Sequence, residues 1–177
     1  HLGRDFSPKS ALDFGCGVGR IVLPLASMVE RVMGIDISES MLDEAQKNCA
    51  AHGLKNVTFR KSDDALSALD ESFDFIHSYI VFQHIPVVRG RRIFAGLIDH
   101  LAEDGIAAIH LTYAKSADEK TLGVKPPQAW RALTKRRIFS YRERSRNLEM
   151  QMNPYNLNEL LFIMQGKGIR HFHVEFC

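Results

Sequence analysis

The sequence predicts an α/β fold: a doubly wound, mostly parallel sheet between two layers of helices, α/β/α. Three observations predict it. Short apolar runs alternate with amphipathic stretches of helical period along most of the chain. A cluster of glycines follows the first apolar run directly, where a buried strand must turn sharply into a helix. The length, 177 residues with 45% hydrophobic, suits one domain over 1–177 and leaves little room for a second.

The elements follow in order. Ser10–Phe14 reads as a buried strand that ends in the glycine turn. Ile21–Met28 is apolar enough for a helix on the sheet, although Pro24 removes a backbone donor and should bend or delay it. Arg31–Asp36 is a second strand. Ser38 then caps a helix with Glu39 at its positive end. Met41, Leu42, Ala45 and Cys49 share the apolar face of that helix, and Gly53 stops it. Asn56–Arg60, with β-branched Val57 and Thr58, and Phe73–Tyr79 supply the third and fourth strands. Pro86 opens a helix whose Ile93, Phe94, Leu97, Ile98 and Leu101 share a face. Asp104–Gly105 turns the chain into a fifth strand, Ile106–Thr112. Asn156 and Glu159 form a capping box for Leu157–Lys167, with Gly168 beyond it, and Ile169–Phe176 is the last strand. Residues 114–152 break the rhythm. They carry Pro126–Pro127, the single tryptophan Trp130 and a basic stretch from Arg131 to Arg146, and read as an insertion over the carboxyl edge of the sheet.

Composition excludes several classes. Charged residues make up 25% with a net charge of +2, which argues against a disordered or collagen-like chain and gives no global pull toward nucleic acid or anionic membrane. The cysteines are Cys16, Cys49 and Cys177, an odd number without a CxxC pair. That argues against a disulfide framework or zinc knuckle and for a reducing, cytoplasmic home. No apolar run approaches the roughly 20 residues that span a bilayer, so no membrane association is expected. The opening at His1 rather than a methionine points to residues removed or left out ahead of it. His171 and His173 alternate on one face of the expected last strand, but no third ligand sits at metal spacing, so no metal is expected.

The most informative stretch is Asp13-Phe14-Gly15-Cys16-Gly17-Val18-Gly19. Glycines at a strand-to-helix turn let the backbone approach a ligand closely, and the helix start beyond offers free backbone donors. Spacing discriminates between ligands. A dinucleotide fingerprint needs G-x-G-x-x-G, whereas here the third glycine comes one residue early and Arg20 takes the required place. The G-x-x-x-x-G-K-[ST] of a P-loop is absent. Asp36 closes the second strand, which lies beside the first, so its carboxylate stands next to the glycine loop. There it can accept both hydroxyls of an adenosine ribose; the bland alternative is a helix cap.

In this order the residues resemble the class I S-adenosylmethionine-dependent methyltransferases. Leu12–Gly19 is similar to that family's motif I, and Gly34-Ile35-Asp36-Ile37-Ser38 to the acidic segment after it. Asn56–Phe59 with Ser62-Asp63-Asp64-Ala65 resembles the third-strand motif. Phe73–Ile76 and Val81-Phe82-Gln83-His84-Ile85 resemble the fourth-strand motif and its loop, and Leu101–Gly105 the turn before the fifth strand. The likeness covers residues 10–112 well and 155–176 more loosely. It implies a Rossmann-like sheet and S-adenosyl-L-methionine as cofactor, held by Asp13, Gly15, Cys16, Gly17, Gly19, Asp36, Ile37, Asp63 and Asp64. Within that set the glycines would lie under the methionine part and Asp13 would reach its amino group. Asp36 would hold the ribose and Asp63, or failing it Asp64, the adenine amine. The resemblance also implies a final antiparallel strand and a helix ahead of the first strand, neither of which this sequence supplies.

For the acceptor the candidates are polar residues at the carboxyl ends of the fourth and fifth strands: Tyr79, Gln83, His84, His110 and Tyr113. His84 and Tyr113 are the catalytic candidates, His84 first because the family often places a polar residue there. The alternatives are that His84 shapes its loop and Tyr113 lines a pocket. Neither Cys16 nor Cys49 has the Pro-Cys context of a cytosine-methylating nucleophile. Asn153-Pro154-Tyr155 lacks one proline of the Asn-Pro-Pro-Tyr of amino-methylating nucleic-acid enzymes, and reads as a turn before the last helix. The basic segment 131–146, with Phe139 and Tyr141 interleaved, suits RNA or a phosphorylated acceptor, or else a solvated face or a dimer contact. The expected function is therefore methyl transfer to a small-molecule acceptor. The competing readings are an RNA or protein methyltransferase using 131–146, a binding domain that no longer methylates, and an NAD-dependent oxidoreductase, which Arg20 opposes.

Overall fold

The computed structural model of the chain describes residues 6–113 and 152–175. Five strands, β1 (Ser10–Phe14), β2 (Arg31–Asp36), β3 (Val57–Lys61), β4 (Phe73–Ser78) and β5 (Leu101–Ile109), form one sheet in the order β3-β2-β1-β4-β5, and every neighbouring pair is parallel. The first four lie close to where the sequence places them. All five residues of β1 are buried, as expected of a central strand covered on both faces. The chain reverses its direction of progress between β1 and β4, so the carboxyl ends of these two strands form a topological switch point. In open α/β sheets that is where ligands bind.

The two faces carry separate apolar layers. Against one, Ala11, Val32 and Cys16 pack with Val22 and Leu25 of α1 (Val22–Ala26) and with Leu42 and Cys49 of α2 (Glu39–Ala51). Against the other, Leu12, Ile35 and Ile76 pack with Ile93, Phe94 and Leu97 of α3 (Val87–Asp99) and with Leu160 of α4 (Leu157–Gly166). The starts of β1 and β4 are tied together. Asp74 Oδ2 accepts from Lys9 N at 2.8 Å, Ser10 N at 2.9 Å and Ser10 Oγ at 3.0 Å. The backbone donors, Lys9 first, hold the Asp74 carboxyl below the ordinary carboxylate range.

Several boundaries differ from expectation. α1 keeps only five residues. Pro24 sits in its first turn, where a missing N–H costs nothing, and the helix stops where Ser27 Oγ donates to Pro24 O at 2.7 Å. Met41 is 45% exposed, off the buried face of α2 that Leu42, Ala45 and Cys49 form. α3 ends at Asp99, so Leu101 belongs to β5 (Leu101–Ile109) and not to the helix. Asp104–Gly105 does turn, with Asp104 at φ +63°, but inside β5. The step from Phe73 to Phe75 on β4 is matched by one from Leu101 to Ile106, so the turn is a bulge within the ladder. The expected capping box does not form: Asn156 caps the helix by accepting from Asn158 N at 3.0 Å, and Glu159 pairs with Arg91 at 2.5 Å instead of reaching back. The last expected strand is absent. Described residues 169–175 carry no strand, and Phe172 and Val174 are exposed. Alternation supplies propensity, but a strand needs a ladder partner, and β5 ends the described sheet. The expected insertion, with Trp130 and the basic stretch 131–146, lies outside the described residues apart from Met152, as does Cys177.

Candidate functional site

The glycine loop sits at the switch point. Gly15 N and Cys16 N both donate to Ile35 O, at 2.8 and 3.1 Å, which binds the loop to the end of β2. Asn48 of α2, which the sequence did not single out, donates its Nδ2 to Val18 O at 3.0 Å and holds the far side. Gly17 has φ +52°, and a β-carbon built there would meet nothing within 4 Å. The space above the loop is open, and a positive φ in an unobstructed cleft favours glycine.

Asp36 faces that loop. Its Oδ2 accepts from Gly17 N and its Oδ1 from Ser38 N, each at 2.9 Å. Ser38 Oγ caps α2 by accepting from Met41 N at 3.4 Å, so the carboxylate of Asp36 is not the cap of that helix. Each carboxylate oxygen keeps further acceptor capacity. Asp13 lies below the loop, 3% exposed, and its Oδ1 receives His77 Nδ1 at 2.8 Å. Burial raises the Asp13 carboxyl above its usual range; the His77 hydrogen bond and charge oppose this, and nearby Asp36 adds to it. The Cys16 side chain is buried in the core under the loop, and desolvation with both acids nearby pushes its thiol up. It is no thiolate nucleophile, and what Cys16 offers the cleft is backbone.

Beyond β3, the two adjacent acids separate. Asp63 accepts from Ser67 N at 3.0 Å and from Ser67 Oγ, which lower its carboxyl, and it remains exposed. Asp64 is held by Arg89 in a two-pronged pair, Nε and Nη2 each at 2.6 Å. Ile37, next to Asp36, leaves 69% of its surface exposed.

The acceptor-side candidates spread along the carboxyl ends of β4 and β5. His84 ends a 3-10 turn (Phe82–His84) and is exposed, its Nε2 lying 3.1 Å from Gln83 Nε2. Gln83 is buried and accepts from Thr112 Oγ1 at 3.4 Å. Tyr79 packs its ring on His110 with centroids 5.1 Å apart. Tyr113 is 53% exposed. The structure thus brings Asp13, Gly15, Cys16, Gly17, Gly19 and Asp36 together and sets His84 and Tyr113 on neighbouring, separate segments. His77 and Asn48 were missed. A histidine within a strand core was the available signal for the first; the second had none. Among the described residues no group of three or more His, Cys, Asp or Glu is placed to hold a metal, and no helix is long and apolar enough to cross a membrane.

Comparison with known proteins identifies the family and the fold. Residues 11–105, more than half the chain, match the family described as "Methyltransferase domain". The ubiquinone biosynthesis O-methyltransferase of Sinorhizobium medicae is 36% identical over 97 residues, 50% of this chain and 38% of that protein. The 23S rRNA (uracil(1939)-C(5))-methyltransferase RlmD of Marinomonas posidonica is 41% identical over 54 residues, 30% of this chain and 12% of that protein. The match therefore spans well under half of either relative. Among solved structures, the YcgJ protein of Bacillus subtilis shares the fold with a TM-score of 0.64 at 20% identity, covering 91% of this chain and 62% of that one. The chain belongs to the class I S-adenosylmethionine-dependent methyltransferases.

Proposed function

We propose that the chain binds S-adenosylmethionine over the glycine loop and transfers its methyl group to a small-molecule acceptor. The observation that carries this is the Gly17 N–H donated to Asp36 at 2.9 Å. A dinucleotide site offers such a donor to a pyrophosphate. Here it is already taken by a carboxylate, and a second buried acid, Asp13, lies beneath. Two acids repel a pyrophosphate and favour a cationic ligand.

The cofactor supplies a methyl group activated on a sulfonium. Asp36 accepts the ribose hydroxyls, Ile37 gives the adenine an apolar surface, and Asp63 accepts the adenine amine. Asp64 is the weaker candidate, because its carboxylate is engaged by Arg89. The bare backbone of Gly15–Gly19 admits the methionine portion and Asp13 opposes its ammonium. His84, exposed on the loop after β4, takes up the acceptor's proton, and Tyr113 lines the same edge. A small-molecule acceptor is favoured by the longer match to an enzyme of ubiquinone biosynthesis than to one of rRNA. A cytoplasmic setting is supported by the free, buried Cys16 and Cys49.

Calorimetric titration with S-adenosylhomocysteine and with NAD tests the reading. Binding of the first alone supports it, and binding of NAD alone overturns it. Methyl-labelled cofactor incubated with a metabolite extract and with RNA then separates acceptors. Label in the small-molecule fraction supports the proposal; label confined to RNA replaces it with the nucleic-acid alternative.

A further inference from the structure

His77 lies outside every motif of the glycine-loop reading, yet it is the partner of the most deeply buried acid in the site. The β1–β4 register sets Asp13 opposite His77, so both side chains leave the sheet on one face. Their side chains are 4% and 18% exposed. A carboxylate only accepts hydrogen bonds, so at 2.8 Å the His77 Nδ1 carries the proton and donates it to Asp13 Oδ1. Among the described residues this is the one side-chain hydrogen bond Asp13 receives. The imidazole is steadied in turn by the Phe75 ring, with centroids 6.3 Å apart.

We propose that His77 is a positioning residue for the amino-acid end of the cofactor: it anchors the Asp13 carboxylate beneath the glycine loop, where that acid counters an ammonium. The inference rests on the S-adenosylmethionine reading above. It makes a selective demand. Loss of His77 should impair ligands that carry an ammonium and spare those that present only adenosine and sulfur, because Asp36 acts on the ribose independently.

Two probes separate these: S-adenosylhomocysteine, and 5′-methylthioadenosine, which lacks the amino-acid end. Titrated into His77→Leu, the first should bind about tenfold more weakly and the second within about twofold of the parent protein. His77→Asn, whose amide N–H stands where Nδ1–H stood, should recover most of the loss. His77→Gln, whose amide reaches further, should not. Should His77→Leu fail to fold, the Asn and Gln variants carry the same comparison. Equal weakening of both probes, unchanged S-adenosylhomocysteine binding, or Asn no better than Gln overturns the proposal. A parent protein that binds neither probe overturns the cofactor reading itself, a result distinct from parent binding with an unmoved ratio.

Discussion

The hydroxyl of Tyr155 occupies the space that a β-carbon at Gly90 would need. From there its single proton is shared between Ile85 O at 2.9 Å and Phe82 O at 3.1 Å. Asn153 adds two bonds to Gln83 O, from its backbone N at 2.8 Å and its Nδ2 at 3.0 Å. The Asn153-Pro154-Tyr155 stretch is therefore a clamp on the loop that carries His84, in addition to the turn before α4.

The clamp has a measurable cost of removal. Gly90→Ala should destabilise the fold by about 1–3 kcal/mol, because Tyr155 is buried and has no room to retreat. Tyr155→Phe should cost about 1 kcal/mol, because Ile85 O loses its donor while Phe82 O keeps the Ile85 N–H at 2.9 Å. Urea denaturation measures both. A Gly90→Ala midpoint equal to that of the parent would show that the ring moves freely.

Asp63 and Asp64 are neighbours with different commitments. Asp64 is engaged by Arg89, so Asp64→Asn should leave S-adenosylhomocysteine affinity within about twofold. Asp63→Ala should weaken it by about tenfold, the worth of one hydrogen bond to a charged acceptor. Calorimetry on the two variants side by side decides; the reverse ranking would exchange their roles.

Asp13 should trade stability for binding. Burial raises its carboxyl above the ordinary 3.8, so the folded chain holds that proton more tightly than the unfolded chain does. Stability therefore falls as pH rises from 3.8 through the folded value, and the penalty persists above it. Asp13→Asn removes the penalty. Its thermal midpoint should exceed the parent's at neutral pH, the difference should shrink in acid, and S-adenosylhomocysteine affinity should fall. A variant less stable than the parent at neutral pH would mean that the His77 bond outweighs the cost of burial.

Much of this architecture was legible in the residues. The apolar runs located the first four strands closely, and the central β1 most clearly, because a strand covered on both faces needs a nearly continuous apolar run; the fifth, expected over Ile106–Thr112, instead runs from Leu101 to Ile109. Gly15, Gly17 and Gly19 with Asp36 marked the crevice, since a positive φ and a strand-end acid leave local signatures. What failed depended on partners far along the chain. Residues 169–175 have strand composition but no ladder to join. Leu101 continues the helical period of α3, and only pairing with Phe73 assigns it to β5. Glu159 fits a capping box until Arg91 takes it. His77 acquires meaning only through register with Asp13, which spacing alone does not reveal.

The most direct test of the account is the affinity of S-adenosylhomocysteine for Asp36→Ala, measured by calorimetry beside the parent protein. Removing the acceptor of two ribose hydroxyls should weaken binding by at least about tenfold, with the fold retained. Affinity within about twofold of the parent would contradict the claim that this acid and the open glycine loop together hold the cofactor.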